Sequence, residues 1–292
     1  MDAQSHTRSF RLPFSAPFAA DTLLSFLGAR AVPGIEETRD GTYARSVRQP
    51  GGSAVVAMTP RSDHVAVRVS SEGPLDLHDL RDRAARAFDL DADAGVIDTA
   101  LAEDPTMTPL VARIPGIRVP GTFDGFELVV RAIFGQQVSV AGARTSLGRL
   151  VSAAGTPLDR PSGGITHLFP TAERLAGLPP EAFGMPRARA ETIRRVGELV
   201  AGGELDLSGD APPEETLRSL GEVPGIGPWT LAYVAMRALR DLDAFMAGDL
   251  GVRKGFAALG LPSTPKAMLD RAERWRPWRA YAVMHLWHRD SS

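Results

Sequence analysis

The spacing of apolar residues changes once along this chain, and that change limits the folds it can adopt. Segments Thr42–Arg48, Ser53–Thr59 and His64–Ser70 are rich in Val and Thr and alternate apolar with polar residues. Pro50-Gly51-Gly52 and Pro60-Arg61-Ser62-Asp63 separate them, so the pattern predicts an antiparallel meander. Apolar residues at helical spacing in Asp21–Ala31 and Leu77–Phe88 predict two helices packed on one face of that sheet. After a Pro-punctuated stretch, Asp104–Gly121, the strand pattern stops. Helical periodicity takes over in Phe126–Val151, Pro170–Leu175, Arg187–Ala201, Pro213–Leu220, Trp229–Leu239, Leu250–Leu259, Pro265–Arg274 and Pro277–Trp287. No period of about 20 to 50 residues recurs, which excludes a solenoid. The expected class is α+β, an N-terminal antiparallel α/β domain followed by an all-helical body.

The chain has 292 residues, enough for two or three domains. It contains no cysteine, which excludes disulfides, zinc ribbons, cysteine-ligated clusters and thiol nucleophiles. Chemistry must come from carboxylates, histidines, hydroxyls or backbone groups. No apolar run reaches the roughly 18 to 20 residues of a membrane span, and the N-terminus lacks the apolar core of a secretory signal. A cytoplasmic protein without membrane contact is expected. The formal net charge of -2 argues at first against a polyanionic partner. The charge is polarised, however: Met1–Leu110 holds 11 basic and 16 acidic residues, and Ala244–Ser292 holds 8 and 4. That asymmetry is either a surface effect or a pointer to an anionic ligand near the C-terminal end.

The stretch Leu217–Arg253 carries most of the chemical information. Val223-Pro224-Gly225-Ile226-Gly227-Pro228 lies between two helical patterns, and its paired glycines permit a tight hairpin with amides turned outward. Pro228 suits the first turn of the second helix. Amides at the positive end of that helix can bind a phosphate oxygen without any basic side chain, although a plain helix-helix connector has the same pattern. Gly248-Asp249 follows at the mouth of the next helix. Asp249 is placed as an N-cap, and as a catalyst it would be a carboxylate held in a cleft beside the hairpin; the two roles are compatible in position but not in full use of the side chain. Trp229 and Tyr233, four apart, share one helix face, as core or as pocket. Among His6, His64, His78, His167, His285 and His288, only the i, i+3 pair His285 and His288 has ligand-like spacing; without a carboxylate cluster it is expected at the surface, and no catalytic metal is indicated.

These residues together resemble the helix-hairpin-helix DNA glycosylase superfamily. VPGIGPWTLAYVAMRAL and DAFMAGDLGVRKGF resemble its hairpin and catalytic aspartate. FLGARAVPGIEE and TYARSVR in the first domain, FDGFELVVRAIFGQQVSVAGA in the middle and AERWRPWRAYAVMHLWH at the end resemble its AlkA-type branch, the 3-methyladenine-DNA glycosylases II. The resemblance covers nearly the whole chain. It implies three domains, at 1–98, at 121–243, and at 99–120 joined to 244–292.

It further implies a monomeric repair enzyme that flips alkylated, cationic purines such as 3-methyladenine out of double-stranded DNA and hydrolyses the glycosidic bond. A non-catalytic hairpin protein that only binds DNA, or a glycosylase for other damaged bases, are the alternatives. Asp249 falls on the catalytic position, where a carboxylate stabilises an oxocarbenium-like sugar and orients water. Trp229, Tyr233, Trp287 and Phe26 fall on base-pocket positions, where aromatic faces attract a cation. Gly225, Gly227, Trp229, Thr230, Gln136 and Gln137 fall on DNA-binding positions. Gln137 stands where a leucine fills the gap left by the flipped base, and Leu250 where an aromatic follows the aspartate. The lysine of bifunctional relatives, two residues after the second hairpin glycine, corresponds to Trp229, which implies a monofunctional enzyme. No cofactor is expected beyond a structural monovalent cation on the carbonyls of Gly221, Val223 and Ile226.

Overall fold

A computed structural model describes residues 6–71, 73–209 and 211–288. Strands β1 (His6–Pro13), β2 (Glu36–Arg39), β3 (Thr42–Gln49), β4 (Gly52–Pro60) and β5 (His64–Ser71) form one antiparallel sheet in the order β1-β5-β4-β3-β2. Alternation sends Val56 and Met58 of β4 and Val65, Val67 and Val69 of β5 to one face. Helices α1 (Ala20–Arg30) and α2 (Leu77–Phe88) cover that face with Leu23, Leu24, Leu80 and Phe88. Asp76 caps α2 by accepting the amides of His78 and Asp79. The three central strands lie where the alternation placed them. The two edge strands escaped it for physical reasons. Thr7, Arg8, Ser9 and Arg11 of β1 are exposed, and the residue β2 turns inward is a glutamate.

The helical part comprises α3 (Ala94–Ala102), α4 (Thr108–Arg113), α5 (Gly125–Gly135), α6 (Val140–Ala154), α7 (Ala172–Ala176), α8 (Arg187–Ala201), α9 (Pro213–Gly221), α10 (Pro228–Arg237), α11 (Leu250–Ala258), α12 (Pro265–Ala272) and α13 (Arg279–Trp287). Two expectations need correction. The single helical pattern over Phe126–Val151 is two helices, because Gln137 adopts φ +60° and Ser139 caps α6 by accepting the Gly142 amide. The body is also not all-helical: β6 (Thr156–Ser162) and β7 (Ile165–Leu168) form a ribbon. Its Leu158, Ile165 and Leu168 cover Ala44 and Val55 on the outer face of the large sheet. Pro157 and Pro161, with only Leu158 buried in β6, erase the period-two signal there.

Two apolar cores result. One runs from the sheet through α2, α3 and α4 into α11, α12 and α13; the other is built from α5, α6, α8, α9 and α10. Helix α10 lies on the seam, giving Val234 to the second core and Ala235 and Met236 to the first. A buried ion cluster crosses the same seam. Arg45 of β3 pairs with Glu36 of β2 at 3.2 Å and with Glu127 of α5 at 2.6 Å, and Arg131 of α5 pairs with both carboxylates at 2.9 Å. Burial would raise Glu36, but Arg131 and Arg45 outweigh it and hold the carboxyl at about 2. Such charges are tolerable inside only as a fully paired set.

His285 also departs from expectation. Helix α13 is enclosed on nearly every side, so the imidazole is fully buried rather than at the surface. Neither ring nitrogen has a hydrogen-bond partner among the described residues. Burial, followed by His288 and Arg113, pushes it down to about 3.

Candidate active site

The site is assembled from four helices around one carboxylate. Asp249 is the N-cap of α11, and its Oδ1 accepts the Val252 amide at 2.8 Å. The same oxygen accepts the indole N–H of Trp287, on α13, at 2.8 Å. Oδ2 accepts the indole N–H of Trp229, on the first turn of α10, also at 2.8 Å. The expected N-cap is formed, and the same side chain also accepts two indoles.

Each indole belongs to an aromatic stack. Trp229 and Tyr233, one turn apart on α10, lie 5.2 Å between centroids with planes 10° apart. Trp287 stacks on Phe26 of α1 at 6.1 Å and 14°. Among the described residues, no ring contact joins the two stacks. Phe26 is only 3% exposed, so it backs Trp287, whereas Trp229, Tyr233 and Trp287 are half-buried. Leu250 is 59% exposed and stands at the outer edge.

Two arginines pack on the rings of Phe26 and Tyr233. The guanidinium carbon of Arg237 lies 5.1 Å from the Phe26 ring centroid and 5.4 Å from that of Tyr233, joining the stacks at their base. Its nitrogens donate to the Pro120 and Gly121 carbonyls and, at 2.6 Å, to the Tyr233 hydroxyl. Arg30 lies 3.7 Å over Phe26. Burial, with Arg237 and Arg131 nearby, lowers Arg30 to about 10, and it stays charged at neutral pH. Burial would raise the Tyr233 phenol, yet Arg237 and then Arg30 bring it below its usual value. Sequence reasoning missed both arginines, although the spacing held the signal. Arg237 continues the series 229, 233, 237, and Arg30 stands one turn after Phe26.

The hairpin between α9 and α10 lies beside this cleft. Gly225 has φ +92°, and a Cβ there would fall 2.2 Å from Oγ1 of Thr192, which donates to the Pro224 carbonyl. Gly227 needs no such freedom: its φ is -106° and the space around it is open. No side chain caps α10, so its first-turn amides are left for another partner. Thr230 is buried, and its hydroxyl accepts the side-chain amide of Gln136, which also donates to the Gly225 carbonyl. Arg189 donates to the Gln136 carbonyl at 2.7 Å. Gln136 thus braces the α5–α6 loop on the hairpin, and the exposed tip next to it carries Gln137 and Val138. Of the three carbonyls considered for a cation, that of Val223 already accepts the Ile226 amide.

The chain matches the AlkA N-terminal domain model over residues 9–124 and the HhH-GPD superfamily base excision DNA repair protein model over residues 130–280. It is 43% identical to a probable bifunctional transcriptional activator/DNA repair enzyme AlkA of Mycobacterium tuberculosis, over 98% of this chain and 58% of that protein. The chain thus spans little more than half the length of that relative. It is 34% identical to DNA-3-methyladenine glycosylase 2 of Escherichia coli, over 96% of each. A solved 3-methyladenine DNA-glycosylase from Archaeoglobus fulgidus shares the fold with a TM-score of 0.84 at 22% identity, covering 97% of this chain and 98% of that one. By sequence and by architecture, the chain belongs to the HhH-GPD superfamily of base excision DNA repair proteins and carries an AlkA-type N-terminal domain.

Proposed function

We propose that this protein is a monofunctional DNA glycosylase that excises alkylated purines such as 3-methyladenine from duplex DNA and leaves an abasic site. The observation that carries the reading is Asp249, a carboxylate held by three N–H donors, two of them indoles that each belong to an aromatic stack. An alkylated purine is cationic, so its glycosidic bond is weak and its ring is drawn to aromatic faces, each contact contributing about 0.5 to 2 kcal/mol. The base enters between the stacks with its sugar toward Asp249. The carboxylate stabilises the developing sugar cation and orients the attacking water, and the charge already on the base replaces a general acid.

The uncapped amides of Gly227, Trp229 and Thr230 at the start of α10 grip a backbone phosphate. The Gln137 tip fills the gap left by the flipped base, held in place through Gln136. A monovalent cation on the Gly221, Val223 and Ile226 carbonyls would strengthen that grip without chemistry of its own. Water is the nucleophile because Trp229 cannot form an imine, and of the only two lysines Lys266 is paired with Asp270 and Lys254 lies exposed on α11. The acting species is a monomer in the cytoplasm. No helix of the described residues is long and apolar enough to cross a membrane.

Asp249→Asn tests the reading: excision from methylated DNA, followed by mass spectrometry of released bases, should fall by more than about a hundredfold while duplex binding persists. Release of 3-methyladenine within about fivefold of the parent protein would assign the chemistry elsewhere.

A further inference from the structure

We infer that Trp229, besides offering its ring to the base, is a positioning residue for Asp249, and that Trp287 is not its equivalent. The inference rests on the proposed role of Asp249 and concerns which of its oxygens reacts.

An ionised carboxylate offers about four lone-pair positions. Oδ1 spends two of them, on the Val252 amide and the Trp287 indole. Oδ2 spends one, on the Trp229 indole. One position remains, on Oδ2, and it must serve the sugar or the water. The direction in which it points depends on the Trp229 N–H, the sole described donor to that oxygen. Oδ1 is held differently. If the Trp287 N–H were lost, the Val252 amide would still hold the oxygen in the helix cap. The Trp229 ring is in turn fixed by its stack on Tyr233, whose hydroxyl is fixed by Arg237. A chain of contacts therefore runs from Arg237 through Tyr233 and Trp229 to the reacting oxygen.

The experiment replaces each tryptophan separately with β-(3-benzothienyl)alanine, which keeps the fused ring and puts sulfur where the N–H was. Single-turnover excision of 3-methyladenine from methylated duplex is measured against protein concentration, giving a rate and a half-saturation value. A hydrogen bond to a charged group predicts a rate loss of about 10- to 100-fold at position 229, with half-saturation moving less than about threefold. At position 287 the rate loss should stay below about fivefold. 5-Fluorotryptophan at 229, which retains the N–H, should restore the parent rate. Equal losses at both positions, or a parent-like rate for the 229 substitution, would overturn the inference. Thermal unfolding of each variant separates a folding defect from these outcomes, and only folded variants are scored. Asp249→Asn is run alongside. If it excises normally, the proposed function of Asp249 fails; if it is inactive and the 229 substitution is not impaired, only the present inference fails.

Discussion

Replacing His285 with leucine should reduce by about 2 kcal/mol the stability this protein loses between pH 7 and pH 5. In the folded chain the imidazole stays neutral down to about pH 3, whereas the unfolded chain takes up the proton at the ordinary 6.5. The folded value of this base is depressed, so between pH 6.5 and 3 the unfolded state binds more protons and stability falls as the pH is lowered. From pH 7 to pH 5 that difference comes to about 2 kcal/mol, of the order of a fifth of a typical domain's stability. The groups facing the ring, His288 and Arg113, are cationic or become so on acidification, which reinforces the penalty. Burial also lowers His288, which therefore adds a smaller loss of the same sign, and Glu36 acts lower. Its carboxyl is depressed from 4.5 to about 2, so its contribution is present above pH 4.5 and is lost only as the pH falls through that window. Leucine breaks no hydrogen bond, because neither ring nitrogen has a partner among the described residues, and at pH 7 the variant should be within about 1 kcal/mol of the parent. Urea unfolding followed by circular dichroism at pH 7, 6 and 5 measures this directly. A parent and variant that lose stability in parallel, within about 0.5 kcal/mol, would show that His285 is not the buried neutral ring described.

Other substitutions separate fold from binding. Gly225→Ala should lower stability by at least about 1 to 2 kcal/mol, since φ is +92° and the Cβ meets Thr192, whereas Gly227→Val should cost less than about 1 kcal/mol and weaken duplex binding alike for all sequences. Thermal melts and binding titrations on several duplexes read the two effects, and sequence-selective loss would refute the phosphate contact. Borohydride added during excision should trap no covalent protein-DNA adduct, with Lys254→Ala as the control for a bystander amine. Asp249→Asn should cost about 1 to 2 kcal/mol despite equal capping ability, because its amide cannot accept from both indoles, and a double-mutant cycle with Trp229→Phe should recover part of that cost.

What was legible in the sequence is what repeats locally. β3, β4, β5, α2 and α8 follow from periodicity because each turns one apolar face to a core. β2 was not legible because its inward residue is Glu36, whose apolar substitute is an ion cluster drawn from positions 36, 45, 127 and 131. No window of the sequence holds both halves of that cluster. The same separation explains the site. Positions 229 and 233 share a helix face and could be paired from spacing, but the tie of residue 287 to residue 249 exists only after α13 packs on α11. That Asp249 caps α11 was legible from its place before the helix, but the two indole donors that share its oxygens come from other helices and were not.

The order of groups around Asp249 bears on how a cationic base would be cleaved, on the proposed function, in a site that also holds two guanidiniums. From Asp249 the contacts run to Trp229 and Trp287, then to Tyr233 and Phe26, then to Arg237 and Arg30. On the proposed reaction, positive charge begins on the base, toward the arginines, and moves to the sugar, toward the carboxylate. Repulsion of a cation about 7 Å from one guanidinium is about 2 kcal/mol at an effective dielectric of 20, and attraction to a carboxylate about 4 Å away is about 4 kcal/mol. In the bound state the aromatic faces and Asp249 must outweigh the arginines for the base to stay. As the bond breaks, the repulsion falls and the attraction grows, so the same fixed charges favour the transition state over the ground state without moving. A pocket with a neutral floor would bind the damaged base more tightly and cleave it more slowly.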